Sequence, residues 1–98
     1  MRVMDNHTQK PMGHISDISA SGFRMDSTEA LPIGRVFDLR LDLTEEIASK
    51  NHMIFSACTC WRGADRFDPY IQNIGFEIVS MTPQNAAIYR RIIDKYSA

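Results

Sequence analysis

Asp17-Ile18-Ser19-Ala20-Ser21-Gly22 is the stretch of this chain whose residue types and spacing best suit the holding of a ligand. In an extended backbone Asp17 and Ser19 share one face, while Ile18 points the other way toward a core. Gly22 supplies a position without a Cβ, where the backbone can take a positive φ or let a ligand come close. Beyond it the alternation resumes, Phe23 and Met25 against Arg24 and Asp26. Polar groups at the lip of a sheet result, a suitable place for a small ligand. The same residues also suit a plain turn, because Asp, Ser and Gly bond locally to the backbone and tolerate tight conformations.

Other chemistries find less support. His14, Ser16 and Asp17 are close in sequence, but alternation divides them between faces, so no nucleophile–base–orienter set follows. There is no phosphate-loop glycine pattern and no pair of catalytic carboxylates, so no enzyme is expected. Cys58 and Cys60 lie two apart, a poor spacing for a disulfide, and reduced thiols are expected. With His7, His14 and His52 as the only histidines and no metal-ligand spacing among them, neither metal nor cofactor is expected. Eleven basic residues against 12 acidic give a net charge of −1, too little field to hold polymeric nucleic acid. No apolar run approaches the roughly 20 residues of a membrane span, and no leader opens the chain. A cytoplasmic protein without membrane insertion is the expectation.

The elements that must position the lip follow from periodicity. The 98 residues suit one domain, 1–98, with room for one core. Strands are expected at about 1–5, 13–18, 22–26, 35–43, 52–62 and 70–79. Phe37, Leu39, Leu41 and Leu43 alternate with Asp38, Arg40 and Asp42 in the cleanest two-residue period of the chain. In the fifth strand Met53, Phe55, Ala57 and Trp61 share one parity and Ile54, Cys58 and Cys60 the other, which predicts cover on both sides. Gly75 predicts a bulge or tight bend in the sixth. Thr82-Pro83 reads as a helix start, Thr as cap and Pro at the first helical position. From there Ala86, Ile88, Tyr89, Ile92, Ile93 and Tyr96 form an apolar stripe, predicting a core-facing helix at about 83–96. Tyr89, Ile93, Tyr96 and Trp61 are expected to be buried or at a barrel mouth. Six strands with hairpin-length loops and one helix make a mostly β fold, an antiparallel barrel or strongly bent sheet capped by the helix.

Read as Asp-x-Ser-x-x-Gly between two strands, the opening segment resembles the signature of PilZ domains, the bacterial cyclic di-GMP receptor modules. The likeness covers nearly the whole chain. Leu31-Pro32-Ile33-Gly34 with Val36 to Leu43 is similar to the family's Gly-marked turn and fourth strand. Cys58-Thr59-Cys60-Trp61-Arg62 resembles its fifth strand, and Ile74-Gly75-Phe76-Glu77-Ile78 its last strand before a closing helix. The implied fold is a six-stranded antiparallel PilZ-like β-barrel with a C-terminal α-helix. One departure stands out: the family's Arg-x-x-x-Arg segment is missing from this chain, where Arg2 has Asn6 four positions on.

The resemblance implies a cyclic di-GMP-binding module of second-messenger signalling, in motility or biofilm regulation, with a protein partner or a fused upstream domain. Asp17, Ser19 and Gly22 would contact the nucleotide. Arg2, Arg24 and Arg62 are candidate replacements for the missing arginines, and Trp61 is a candidate stacking platform for a base. The alternative is a nucleotide-free adaptor of the same fold, docking a partner of a pilus, flagellar or synthase system through the Asp38-Arg40-Asp42 face or Arg90 and Arg91.

Overall fold

The computed structural model describes residues 1–96; Ser97 and Ala98, the last two of the expected span 1–98, lie outside the described residues. Six antiparallel strands run in sequence: β1 (Arg2–Asp5), β2 (Pro11–Ile18), β3 (Gly22–Ser27), β4 (Val36–Asp42), β5 (His52–Ala64) and β6 (Gln72–Ser80). Helix α1 (Pro83–Tyr96) follows them. The strands close into a barrel in the order β1-β2-β3-β6-β5-β4, so no edge is left to pair with another chain. Among the described residues no helix is long and apolar enough to cross a membrane.

The inward residues of each strand fill the barrel. Val3, Met25, Leu39, Leu41, Met53, Ala57 and Ile74 are almost wholly shielded. Phe23 stacks on Phe76 at 5.0 Å between ring centroids and meets Phe55 edge-on at 6.0 Å, packing of the kind that adds to plain area burial. The outer face of β4 is polar, as its alternation predicts. Asp38 lies 2.7 Å from both His7 Nε2 and Ser56 Oγ, and Arg2 donates to Asp42 at 2.8 Å.

The antiparallel order puts the start of β1, the β2–β3 turn, the β4–β5 loop and the end of β6 at one end of the barrel. Helix α1 closes that end. Thr82 Oγ1 accepts from the Asn85 amide at 3.1 Å, capping the helix as the Thr-Pro signal predicts. Asn85, Ile88, Tyr89 and Ile92 are its buried residues. The buried stripe is narrower than expected: Ile93 is half-buried, and Ala86 and Tyr96 are exposed. A single helix laid across a barrel mouth covers only the side chains over the opening.

β5 also departs from expectation. Its outer residues Ile54 and Cys60 are exposed, so the strand is covered on one side only. Trp61 leaves the parity of Met53 and stands 49% exposed on the outside. The reason is a bulge. Thr59 pairs with Phe76 and Trp61 with Gly75, leaving Cys60 as an extra residue between them. One inserted residue reverses the facing of everything after it. β2 carries the same device, where Ile15 pairs with Met25 and Asp17 with Arg24, leaving Ser16 unpaired. That explains the imperfect alternation of Gly13 to Ile18.

Candidate functional site

The two bulges bring four positions into one row. Asp17 on β2 faces Arg24 on β3, Arg24 faces Gly75 on β6, and Gly75 faces Trp61 on β5. Neighbouring strands lie about 4.8 Å apart, so the row spans roughly 14 Å of the outer barrel wall. Its side chains are, in order, a carboxylate, a guanidinium, a hydrogen and an indole. The adjacent inward row, Ile18, Phe23, Phe76 and Thr59, is buried and holds the wall rigid from beneath.

Gly75 is the point on which this surface depends. A Cβ built there would lie 2.1–2.6 Å from three indole atoms of Trp61. The ring therefore lies in the space a side chain would occupy, flat against β6 and toward Arg24. The expected bulge belongs to β5, opposite Gly75, and the glycine serves the close approach of the indole. Gly22 has a comparable role. Its φ is not positive, and a Cβ would come within 1.9 Å of the Phe76 carbonyl oxygen. The close neighbour of Gly22 is thus the backbone of β6, packed tightly enough to hold the turn against the barrel.

A shallow cleft of about 230 Å³ runs along the row, lined by Asp17, Ser19, Ser21, Gly22, Arg24, Trp61 and Gly75 among others. That is below the ~300–1,000 Å³ usual for sites that engulf a ligand, so the cleft suits one face of a molecule laid on the wall. Asp17 is exposed, and among the described residues its carboxylate accepts one hydrogen bond, from the Ile18 amide at 3.0 Å. Its remaining lone pairs face outward and can accept two donors in parallel. Ser19 bonds inside the turn, its Oγ 3.3 Å from the Gly22 carbonyl.

Arg24 is held by its Nε, which donates to Ser16 Oγ at 2.9 Å. Ser16 in turn donates to Asp26 at 3.0 Å, and Asn73 bridges Asp26 and Asp65 at 2.8 and 3.1 Å. The Asp65 carboxyl is lowered from its usual value by the Phe67 amide, then by the Asn73 side chain and the Asp68 amide. With Nε committed to this network, the terminal nitrogens of Arg24 have no hydrogen-bond partner among the described residues and can fork onto an anion.

Of the candidate ligand residues, Asp17, Ser19, Gly22, Arg24 and Trp61 come together at the cleft. Arg2 and Arg62 lie outside its lining. Arg2 is committed to Asp42 through two bonds of 2.8 and 3.0 Å. Arg62 follows Trp61 on the strand and so takes the opposite facing; it shares a row with buried Ile74 and donates to the Leu31 carbonyl at 2.9 Å. His14 is exposed and pairs with Asp26, away from the cleft. Cys58 and Cys60 are free thiols. Desolvation against the sheet, then the Glu77 carboxylate, pushes the Cys60 thiol up, away from the thiolate that metals need. Among the described residues no cluster of metal-ligating side chains forms.

Two residues at the site escape a sequence reading. Gly75 reads as a bend until its cross-strand partner is known to be Trp61. Tyr89 reads as core, yet its hydroxyl lies 2.8 and 2.9 Å from the carbonyl oxygens of Ser19 and Gly22 and shares its one proton between them. The one available signal is the hydroxyl itself, since a buried tyrosine needs a partner where a phenylalanine does not.

Comparison with curated proteins returns no match. A family model described as PilZ domain matches residues 2–95, nearly the whole chain. The closed barrel with its capping helix and the Asp-x-Ser-x-x-Gly turn at the covered end accord with that match: the protein is a member of the PilZ domain family.

Proposed function

We propose that this domain is a cyclic di-GMP receptor module that reads the nucleotide with the row Asp17–Arg24–Gly75–Trp61. PilZ domains are ligand-binding receptor modules rather than enzymes, and cyclic di-GMP is the ligand of the family at large. The observation that carries the reading for this chain is the outward, nearly uncommitted carboxylate of Asp17 beside a guanidinium and an indole on one wall. Guanine presents an N1–H and an amino group side by side, which a carboxylate accepts together. Arg24 then takes a phosphate, and the exposed indole of Trp61 stacks on a base. Ser19 adds a hydroxyl at the rim.

A single guanidinium at the cleft is a thin complement for two phosphates. Hydrogen bonds to charged groups contribute about 1.5–3 kcal/mol each, so the lack of two such contacts weakens binding by roughly 3–6 kcal/mol. At 1.4 kcal/mol per decade that is on the order of a hundred- to ten-thousand-fold. The geometry offers a route for restoring them. The Met1 carbonyl accepts from the Ile15 amide at 2.9 Å, and Met1 and Asp17 line a common groove under Ile92 and Tyr96. An Arg-x-x-x-Arg segment fused ahead of Met1 would enter beside Asp17.

Calorimetric titration of the chain, of that extended form and of Asp17→Ala tests the reading. Weak binding by the chain, tight binding by the extended form and preference for cyclic di-GMP over cyclic di-AMP are expected. Asp17→Ala should abolish the preference with little change in stability, because the exposed carboxylate accepts a single hydrogen bond among the described residues, from the Ile18 amide. The second reading, a nucleotide-free adaptor, is favoured by the engagement of Arg2 and Arg62 elsewhere. Absence of binding even in the extended form would select it.

A further inference from the structure

We infer that Tyr89 is a positioning residue for the ligand turn, so that helix α1 and the nucleotide cleft are energetically coupled; this rests on the cyclic di-GMP reading above. The turn Ser19–Gly22 joins β2 to β3 immediately beside Asp17. Within the turn, the Ser19 amide donates to the Gly22 carbonyl at 2.8 Å. From outside it, the turn is held by the pairing of Gly22 with Glu77 on β6 and by two further contacts. The Ile78 amide donates to the Ser21 carbonyl at 2.9 Å, tying the turn to β6. The Tyr89 hydroxyl spans the Ser19 and Gly22 carbonyls, tying both ends of the turn to the helix.

The Ser19 carbonyl receives its only hydrogen bond among the described residues from Tyr89. The phenol is buried, 4% exposed, and burial pushes its pKa up, so the donor is present at every physiological pH. Its ring packs in the same helix face as Ile88 and Ile92, whose side chains enter the barrel core. The hydroxyl therefore transfers the rigidity of the core to the two carbonyls that bracket Ala20 and Ser21. A turn held this way keeps the Asp17 and Ser19 side chains in one arrangement before ligand arrives. A turn released from the helix would visit others, and apparent affinity would fall in proportion to the competent fraction. Coupling of this kind is reciprocal: ligand on the turn must protect the helix end by the same factor.

Tyr89→Phe removes the hydroxyl and keeps the ring. The expected result, in titrations of the chain with cyclic di-GMP, is a loss of up to about tenfold in affinity, the equivalent of one net hydrogen bond of ~1.4 kcal/mol. Amide exchange read by NMR should quicken at Ser19 to Gly22 while the rest of β2 and β3 keeps its protection. Ile88→Val trims the core under the same helix and serves as control; it should lower the melting temperature without changing affinity. Equal loss of affinity in both variants would reduce Tyr89 to a core residue and overturn the inference. Unchanged affinity in Tyr89→Phe, with the parent binding, would overturn it as well. A parent chain that fails to bind cyclic di-GMP at millimolar concentration would instead refute the ligand reading, and the positioning role with it. The exchange rates would still say whether the hydroxyl pins the turn.

Discussion

Alanine at Gly75 and alanine at Gly22 add the same methyl group to neighbouring strands, and the structure assigns them different costs. At Gly75 the new Cβ meets the indole of Trp61, at 2.1 Å from Nε1. That obstacle is a side chain on an open surface, and it can rotate away. An aromatic side chain buries on the order of 150–250 Å² when fully covered. With Trp61 49% exposed, the covered part is about 100 Å². Losing all of that contact at about 25 cal/mol per Å² costs at most ~2.5 kcal/mol. Relief of the glycine's backbone entropy returns about 0.5–1 kcal/mol, so the net loss is no more than ~2 kcal/mol. At Gly22 the obstacle is the Phe76 carbonyl oxygen, 1.9 Å from the new Cβ, with the Glu77 Cα at 3.2 Å. Backbone cannot rotate aside. β3 and β6 must separate there, weakening two ladder hydrogen bonds worth about 0.5–1.5 kcal/mol each. Overpacking strain of about 1–3 kcal/mol adds to this.

With the same return of about 0.5–1 kcal/mol, Gly22→Ala should lose roughly 1–5 kcal/mol, centred near 3, and Gly75→Ala less. For a chain this size each kcal/mol moves the melting temperature by about 4–8 °C. Trp61 is the only tryptophan, so its emission reports the cleft directly. Gly75→Ala should melt within about 15 °C of the parent, with red-shifted emission and easier quenching by acrylamide as the indole leaves β6. Gly22→Ala should melt far lower, with its emission unchanged at temperatures where it is still folded. A Gly75→Ala variant with parental emission and quenching would refute the close approach of Trp61 to β6. Equal melting losses in the two variants would refute the distinction between side-chain and backbone obstacles.

Further outcomes follow from particular contacts. Ile92, 1% exposed beneath the helix, should not tolerate Asp: an unpaired charge there costs several kcal/mol, and Ile92→Asp melting at the parental temperature would show that the helix is not seated on the core. Changing Cys58 and Cys60 together to Ser should leave the metal content of the purified protein at zero by elemental analysis, as for the parent; stoichiometric zinc in the parent would contradict the reading of these residues as free thiols. Asp38 is lowered from its usual value by the Ser56 hydroxyl first and by His7 second. A depressed folded-state pKa stabilises the fold above the unfolded value near 3.9, and the contribution is lost as pH falls through the folded value. Ser56→Ala should therefore raise the Asp38 midpoint in a carboxyl-carbon NMR titration, and an unmoved midpoint would dismiss the Ser56 bond.

The barrel was legible because its signals are local. Phe37 to Leu43 alternate without interruption, Thr82-Pro83 caps a helix in two residues, and Gly34 with φ of +79° sits in the turn that Pro-x-Gly marks. Half of the cleft was legible for the same reason, since Asp17 and Ser19 lie two apart at the end of β2 and the start of its turn. What stayed hidden depends on register between strands distant in sequence. Nothing in the order of residues pairs Gly75 with Trp61, or carries the Tyr89 hydroxyl 70 positions back to Ser19. Arg2 and Arg62 illustrate the converse. Both are basic and suit an anion by residue type, yet Asp42 and the Leu31 carbonyl engage them, and only the folded barrel reveals those partners.

The two bulges show how a barrel this small makes room for a binding wall. In an unbroken ladder Ser16 would take the place opposite Arg24, and Asp17 would face Phe23 in the core row. Likewise Cys60 would oppose Gly75, and Trp61 would fall opposite buried Ile74. Either arrangement would bury a carboxylate or crowd an indole into a core already filled by Phe23, Phe55 and Phe76. Each strand instead spends one unpaired residue, Ser16 or Cys60, to change facing. Upstream of each bulge the alternation serves the core, and downstream it delivers Asp17 and Trp61 to the outer wall. Ser16 has a second use, because its freed hydroxyl orients Arg24. The bulges at Ser16 and Cys60 thus build the cleft, and β3 and β6 between them supply its floor.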